Sequence, residues 1–565
     1  MSRPSPAGPR STLFVLLLVA ALPVFFLALG ANSIWDANEA FYVETPRQMV
    51  LTGDYVHPTF NALERFNKPV LSYWIVAGLY HAFGVSVEVE RWGIAIGAMA
   101  IVFAAFLIGR ALRSTATGVL AALLIATAPR IVFFSRRIFI DVYITAFMSL
   151  ALACFVLAMR DEARRRRYLT LMYVVIGLGV LTKGPMAVLL PGAVALAWLA
   201  VERRLGDLRR LMIVPGALIV LAIAAPWWIA VGLTDPHGWQ HLTEFFVGEN
   251  VGRFSSSMTG GRAPWFFLGV LFGDFLLPWA PLLAVVIVSA WRARRQPADP
   301  ARSLRRLLWI WIGVIVVGFS FSASKEDLYI FPVVPAAAAL IADALIRARF
   351  GLDDRAIRIG LNVIAAGFAA AGVFVLVYLT SGYYRIAAAH TIAALLILTS
   401  VTALAFFLRR AAVGGFAVLA AGAILLNYFF VLRVLPDIER LKPVPALAGT
   451  IRTQGSPKRS VGWVNVALPS LVYYVDTAVT ALDGTRHAVE YFRMYGEPWV
   501  IMGEPEWVEL QSKVPGLCVR DRRRLFDTRI ADVIRGIPPP EVLLVAKCKG
   551  AEKSGRSTAS FPPRR

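Results

Sequence analysis

Apolar runs long enough to cross a bilayer as helices, about 17 to 25 residues each, begin near residues 13, 93, 116, 139, 168, 186, 211, 264, 305, 328, 359, 386 and 413. The pattern predicts roughly thirteen transmembrane helices. With 58% hydrophobic residues over 565 positions, the composition excludes a soluble globule and places the chain among polytopic α-helical membrane proteins. The first run is about 19 residues long, longer than the apolar core of a cleaved signal, so residues 1–31 read as an uncleaved anchor.

Three stretches interrupt the apolar pattern. The loop over residues 32–92 is too long for a simple connection. Within it, Thr45-Pro46-Arg47-Gln48 reads as a helix start, with Thr45 as N-cap, Pro46 in the first turn and Gln48 closing a capping box. Gly53 would end that helix, and Phe41, Tyr42, Met49, Val50 and Leu51 would lie against the membrane surface. A second large loop covers residues 234–262. The transmembrane region as a whole covers residues 1–433. From residue 434 to 550 the texture changes: SVGWVNVAL, PSLVYYV, PWVIMG and EVLLVAKC read as strands and PEWVELQSKV as a helix, which predicts a small α/β domain. Residues 551–565, rich in Ser, Pro, Lys and Arg, read as a disordered tail.

The net charge of +22 changes the picture only through its placement. Arginine clusters at Arg110 and Arg113, Arg160 to Arg167, Arg203 to Arg210, Arg292 to Arg306, Arg347 to Arg358, and Arg409 with Arg410 all follow alternate spans. The positive-inside rule puts them in the cytoplasm and the three interrupting stretches outside it. The cations thus serve topology, and nucleic acid is not an expected partner. Of the three cysteines, Cys154 lies in a span. Cys518 and Cys548 fall in the extracytoplasmic region, where a disulfide is permitted and two thiols are equally compatible with the sequence.

With sides assigned, the unusual polar residues sort together. Asp36, Glu39, Glu44, His57, Lys68, Arg136, Arg137, Asp141, Lys183, Glu249, Asn250, Arg253, Lys325 and Tyr329 all fall at the extracytoplasmic boundary. Span interiors hold almost no ionisable residues, unlike an ion pathway. A reaction site at the outer rim is expected. Nucleotide-activated sugars are absent there, so a transferase would draw its sugar from a lipid phosphate. The acceptor hydroxyl needs a carboxylate as base, for which Asp36, Glu39 and Asp141 are candidates. The departing lipid phosphate needs fixed cations, for which Lys68, Arg253 and Lys325 are candidates. Glu44, His57, Arg136, Arg137 and Lys183 are further candidates for substrate contact. The sequence carries no Gly-rich phosphate loop and no metal-spaced His/Cys cluster, so no cofactor is required by any motif and a divalent metal stays open.

These residues carry a resemblance. NEAFYVETPRQMVLTGDYVHPTFN followed by RFNKPVLSYW, then RRIFIDVYITAF, TKGP, FFVGENVGRF with APWFF, and SASKEDLYIFPVVP resemble, in that order, motifs of the GT-C membrane glycosyltransferases. That group includes protein O-mannosyltransferases and the aminoarabinose transferases that act on lipid A. The resemblance covers about residues 10 to 350. It implies a GT-C fold, a polyprenyl-phosphate sugar donor, inverting transfer to a lipid, glycan or protein acceptor, and a bacterial inner-membrane location. It also implies roles: Asp141 as the second family carboxylate, Glu39 as the Glu of an Asp-Glu pair, and Lys68, Arg253 and Tyr329 near the lipid phosphate. Asn38 stands where the family has its Asp, so Asp36 or Glu39 would supply that carboxylate. Asn67 replaces a common Glu before Lys68. A lipid-sugar flippase and a noncatalytic assembly protein are the alternatives. No internal repeat favours the flippase.

Overall fold

The computed structural model describes residues 9–36, 38–252, 255, 261–292, 299, 301–526 and 530–548. It divides into two compact units, one holding the chain to Ile34 and from Tyr42 to Asp437, the other Trp35–Phe41 with the chain from Ile438.

The first unit is a helical membrane body. Among the described residues, eight helices are long and apolar enough to cross a membrane: Val87–Leu112, Ile140–Arg160, Ile213–Thr234, Arg302–Ser320, Asp327–Arg347, Arg355–Tyr378, Ala389–Leu408 and Ala412–Glu439. Four shorter apolar helices join them, Thr12–Phe25, Thr115–Ala126, Met186–Val201 and Ala280–Ala290. The run expected from residue 264 is broken into helices Phe266–Gly273 and Ala280–Arg292 on either side of Pro278. Caps set several boundaries: Ser86 accepts from Val89 N–H at 3.2 Å and Ser114 from Thr117 N–H at 3.3 Å. Asp354 accepts from Ala356 N–H at 2.8 Å and Ile357 N–H at 3.3 Å. On the arginine-rich side, the fully buried Asp343 carboxylate gathers Arg113, Arg305 and Arg347 from three different clusters. A buried carboxylate needs such partners to stay charged.

The first loop differs from its sequence reading. Its helix runs Asn38–Thr52, so it starts seven residues before Thr45 and keeps Pro46 inside. Proline removes one helical hydrogen bond, but Ala40, Tyr42, Val43, Glu44 and Thr45 are all buried. Packing therefore carries the helix past the break. Tyr42 and Met49, expected at the membrane surface, are also buried, while Leu51 is exposed. Gly53 ends the helix, with its N–H on the Met49 carbonyl at 2.9 Å. A two-strand ribbon follows, β1 (Thr59–Phe60) against β2 (Leu63–Glu64). Helix Leu71–Phe83 then buries Ser72, Tyr73, Val76, Ala77 and Tyr80, a face spaced at helical period.

The second unit is built on a five-stranded mixed sheet in the order β4-β3-β5-β7-β6, with β3 Ser460–Val464, β4 Val479–Leu482, β5 Pro498–Gly503, β6 Leu517–Arg524 and β7 Glu541–Lys547. β3 lies parallel to β4 and β5; β7 lies antiparallel to β5 and β6. Val464, Tyr491, Phe492, Val500, Met502, Leu510, Leu543 and Val545 form the core. SLVYYV folds as helix Ser470–Val475, not as a strand: Leu471, Val472 and Val475 are buried at helical spacing, which overrides the β-propensity of valine and tyrosine. Cys518 and Cys548 are disulfide-bonded, closing the β6–β7 excursion. The tail over residues 551–565 lies outside the described residues.

Candidate functional site

In the membrane body two of the ion pairs at the polar rim join residues expected from the sequence. Asp141 sits in the first turn of helix Ile140–Arg160, and Lys183 ends helix Arg165–Lys183. A carboxylate at a helix N-terminus and an ammonium at a C-terminus are each favoured by the local helix dipole. The two side chains meet as an ion pair, 14% and 22% exposed respectively. On its other side the Lys183 ammonium stands 5.3 Å from the centre of the Tyr329 ring, within cation–π range. Tyr329, held in turn against Phe319 at 5.1 Å, comes from the short helix Asp327–Val333.

The second pair joins Lys68 Nζ to Glu249 Oε2 at 2.7 Å, with side chains 18% and 19% exposed. Gly184 links the pairs. At φ +87° it turns the chain out of the Lys183 helix, and a Cβ there would lie 2.7 Å from Phe245 and 3.9 Å from Asn250, the neighbour of Glu249. The loop holding Glu249 thus packs directly on the residue after Lys183.

The other expected residues are placed as follows. Lys325 is buried, and its Nζ donates to the Ser322 carbonyl at 2.6 Å. Arg136 is buried and donates to the Val24 and Ala28 carbonyls at 3.1 and 2.7 Å, a tie to the first helix. Arg137 lies over Phe133 and Phe139 at 5.0 and 4.5 Å. Glu44 is buried and accepts from Arg47 Nε at 2.9 Å and Gln48 Nε2 at 2.5 Å, one helical turn on. His57 Nδ1 lies 2.8 Å from Asp54 Oδ2 and its Nε2 lies 2.9 Å from Thr234 Oγ1. Burial opposes ionisation of Asp54, but bonds from the His57 and Val56 backbone and from the His57 ring outweigh it and hold the carboxyl below its ordinary range. Arg253 lies outside the described residues.

Asp36 and Glu39 belong to the second unit. Both Asp36 oxygens are engaged by one residue: Ser470 N–H donates to Oδ1 and Ser470 Oγ to Oδ2, each at 2.7 Å. Burial pushes the Asp36 carboxyl up to about 6, against the lowering effect of the Ser470 bonds and Lys442. Asp36 therefore caps helix Ser470–Val475 from a distant part of the chain. Glu39 is fully buried and accepts from Trp35 N–H at 2.7 Å.

Sequence reasoning missed a third cluster. Glu64 on β2, Asp235 after helix Ile213–Thr234, and His241 in helix Gly238–Thr243 bring one ligand-type atom each to within 4.8 Å of one another. No local spacing signals it, because Glu64 and His241 are 177 residues apart.

A model of dolichyl-phosphate-mannose-protein mannosyltransferases matches residues 67–229. An undecaprenyl phosphate-α-4-amino-4-deoxy-L-arabinose arabinosyl transferase of Pseudomonas fluorescens is 31% identical over 374 residues, covering 65% of this chain and 62% of the relative. Its Pseudomonas aeruginosa counterpart is 32% identical over 370 residues, covering 64% and 65%. The matched region is thus less than two thirds of these relatives' own length. The crystal structure of ArnT from Cupriavidus metallidurans bound to undecaprenyl phosphate superposes with a TM-score of 0.77 at 24% identity, over 94% of this chain and 97% of that one. Over these stretches the chain is similar to protein O-mannosyltransferases and aminoarabinose transferases. Its fold is the polytopic helical GT-C fold. The two ion pairs and Tyr329 fall on the stretches that carry the resemblance: Lys68 in RFNKP, Asp141 in RRIFID, Lys183 in TKGP, Glu249 in FFVGEN and Tyr329 in SASKEDLY.

Proposed function

We propose that the protein is an inverting glycosyltransferase that moves a sugar from a polyprenyl phosphate to a lipid acceptor at the extracytoplasmic face of a bacterial inner membrane. In this reading thirteen segments cross the membrane and the arginine clusters face the cytoplasm. The first donor to test is undecaprenyl phosphate-linked 4-amino-4-deoxy-L-arabinose, the donor in the relatives' names, with lipid A as acceptor. The observation that carries the reading is the placement of Lys183 between Asp141 and the Tyr329 ring, with Lys68–Glu249 packed beside it through Gly184.

Asp141 is the proposed base. It is partly solvent-open, whereas both Asp36 oxygens are bound by Ser470. The acceptor hydroxyl attacks the anomeric carbon and its proton passes to Asp141. The bond from that carbon to the phosphate oxygen breaks, and polyprenyl phosphate leaves with the electron pair. Lys183, Lys68, Arg253 and Tyr329 stabilise the phosphate charge. Lys183 exchanges its Asp141 contact for the phosphate, which leaves Asp141 free to accept the proton. Asp36 and Glu39 take a structural part, and Glu44, Arg136, Arg137 and Lys325 fix the rim around the site. Purified protein in detergent, given sugar-labelled lipid donor and acceptor lipid, should release one polyprenyl phosphate per sugar transferred, with inverted anomeric configuration. Movement of intact donor across a proteoliposome bilayer without cleavage would instead identify a flippase.

A further inference from the structure

The geometry points to a divalent-metal site, of zinc type, formed by Glu64, Asp235 and His241, which clips the β1–β2 ribbon to the second large loop. The three residues converge for a local reason. After Thr234 the chain turns back so closely that a Cβ on Gly238 would lie 2.1 Å from the Val231 carbonyl oxygen. Only glycine permits this approach, and it sets helix Gly238–Thr243 on the end of the preceding helix. His241 is thereby brought over Asp235, with Nε2 3.9 Å from Asp235 Oδ2, and Glu64 Oε2 reaches the same nitrogen at 3.2 Å.

The donor set suits a cation better than it suits itself. The Asp235 side chain is 3% exposed. Its Oδ1 accepts from His237 N–H at 2.7 Å, yet its Oδ2 receives no hydrogen bond among the described residues and aims at His241. A single Nε2–H donated to Glu64 leaves Asp235 Oδ2 facing the imidazole at 3.9 Å with no donor from it. A metal held at about 2.0–2.2 Å by one imidazole nitrogen and two carboxylate oxygens satisfies all three, and the half-exposed Glu64 can close the remaining gap. The imidazole is held by an aromatic neighbour. Phe66 stacks on it at 4.4 Å, and Glu244 Oε2 lies 4.0 Å from Nδ1, outside hydrogen-bond distance. One imidazole with two carboxylates favours a first-row divalent ion such as Zn²⁺ over Ca²⁺ or Mg²⁺. Lys68 lies four residues beyond Glu64 and Glu249 eight beyond His241. A metal here therefore ties together the two segments that supply the Lys68–Glu249 pair.

The test measures metal bound to full-length protein in detergent, stripped with chelator and titrated with Zn²⁺, and is independent of transferase activity. Wild type should bind one equivalent, and Co²⁺ should give the visible absorption of a low-coordinate site. Asp235→Asn and His241→Ala should each weaken binding at least 10-fold, and Glu64→Gln, at an exposed position, should also weaken it with folding intact. His237→Gln, on the exposed neighbour outside the cluster, should bind as wild type. Substoichiometric binding by wild type, binding indifferent to Glu64→Gln and Asp235→Asn, or loss on His237→Gln equal to that on His241→Ala would overturn the site.

Discussion

Asp36 and Asp141 are both carboxylates at the edge of the membrane pattern, yet the two regions that hold them use them differently. In the second unit, Asp36 accepts two bonds from Ser470, and neither donor can leave without uncapping a helix. In the membrane body, Asp141 is partnered by the flexible end of Lys183, which Tyr329 also attracts. A carboxylate bound by backbone and hydroxyl donors can cap a helix; in the proposed function, one paired with the Lys183 ammonium acts as the base. In that proposal the identity of the partner, more than the residue type, separates the two carboxylates.

The largest effect that would sharpen this contrast is expected from Asp141→Asn, which should lower kcat by about 100- to 10,000-fold, the usual worth of a general base, with protein yield and thermal stability unchanged. Steady-state kinetics on purified protein measures it. Lys68→Met should cost less, about 10- to 100-fold in kcat/KM, because Lys183 and Tyr329 remain to stabilise the phosphate in the proposed site. Equal losses in activity and in melting temperature would mean that the Lys68–Glu249 pair is structural only.

The predictions for the second unit concern stability. Cys518→Ser with Cys548→Ser should destabilise that unit by about 2–4 kcal/mol, read as faster amide exchange across β6 and β7 while exchange in helix Ile140–Arg160 is unchanged. Asp36 adds a pH dependence. Its carboxyl titrates near 6 in the folded protein, above its ordinary 3.8, so the folded state holds the proton more tightly. Stability from this group is fully present below about pH 4 and declines as pH rises through 6, by about 3 kcal/mol in all. Amide exchange over residues 468–476, corrected for its intrinsic pH dependence, should therefore quicken between pH 5 and 7, and Asp36→Asn should flatten that change. A slope unaltered by the substitution would show that Asp36 does not govern this segment.

The membrane body was largely legible because burial in lipid imposes one signal, a long apolar run, and the positions of the helix starts follow it. The run from residue 264 failed as a single helix where Pro278 interrupts it. Asp141, Lys183 and Tyr329 were readable as rim residues, but not the Asp141–Lys183 contact, which joins helix ends 42 residues apart. The contact of Asp36 was hidden for the same reason on a larger scale: its partner Ser470 is 434 residues away, and nothing near IWDANEA announces it. SLVYYV carries strand-like residues, and only the buried face at Leu471, Val472 and Val475 makes it a helix. Glu64, Asp235 and His241 lack any short spacing, so the ribbon and the Gly238 turn had to be seen before they could be grouped.

The contrast between the two carboxylates is tested most directly by sugar transfer from labelled polyprenyl-phosphate donor to acceptor lipid, measured side by side for wild type, Asp141→Asn and Asp36→Asn at matched folded concentration. Transfer should fall at least 100-fold in Asp141→Asn and stay within about 3-fold of wild type in Asp36→Asn, where the amide oxygen still accepts from Ser470. Near-normal transfer by Asp141→Asn together with its loss in Asp36→Asn would contradict the assignment and return the base to the first loop.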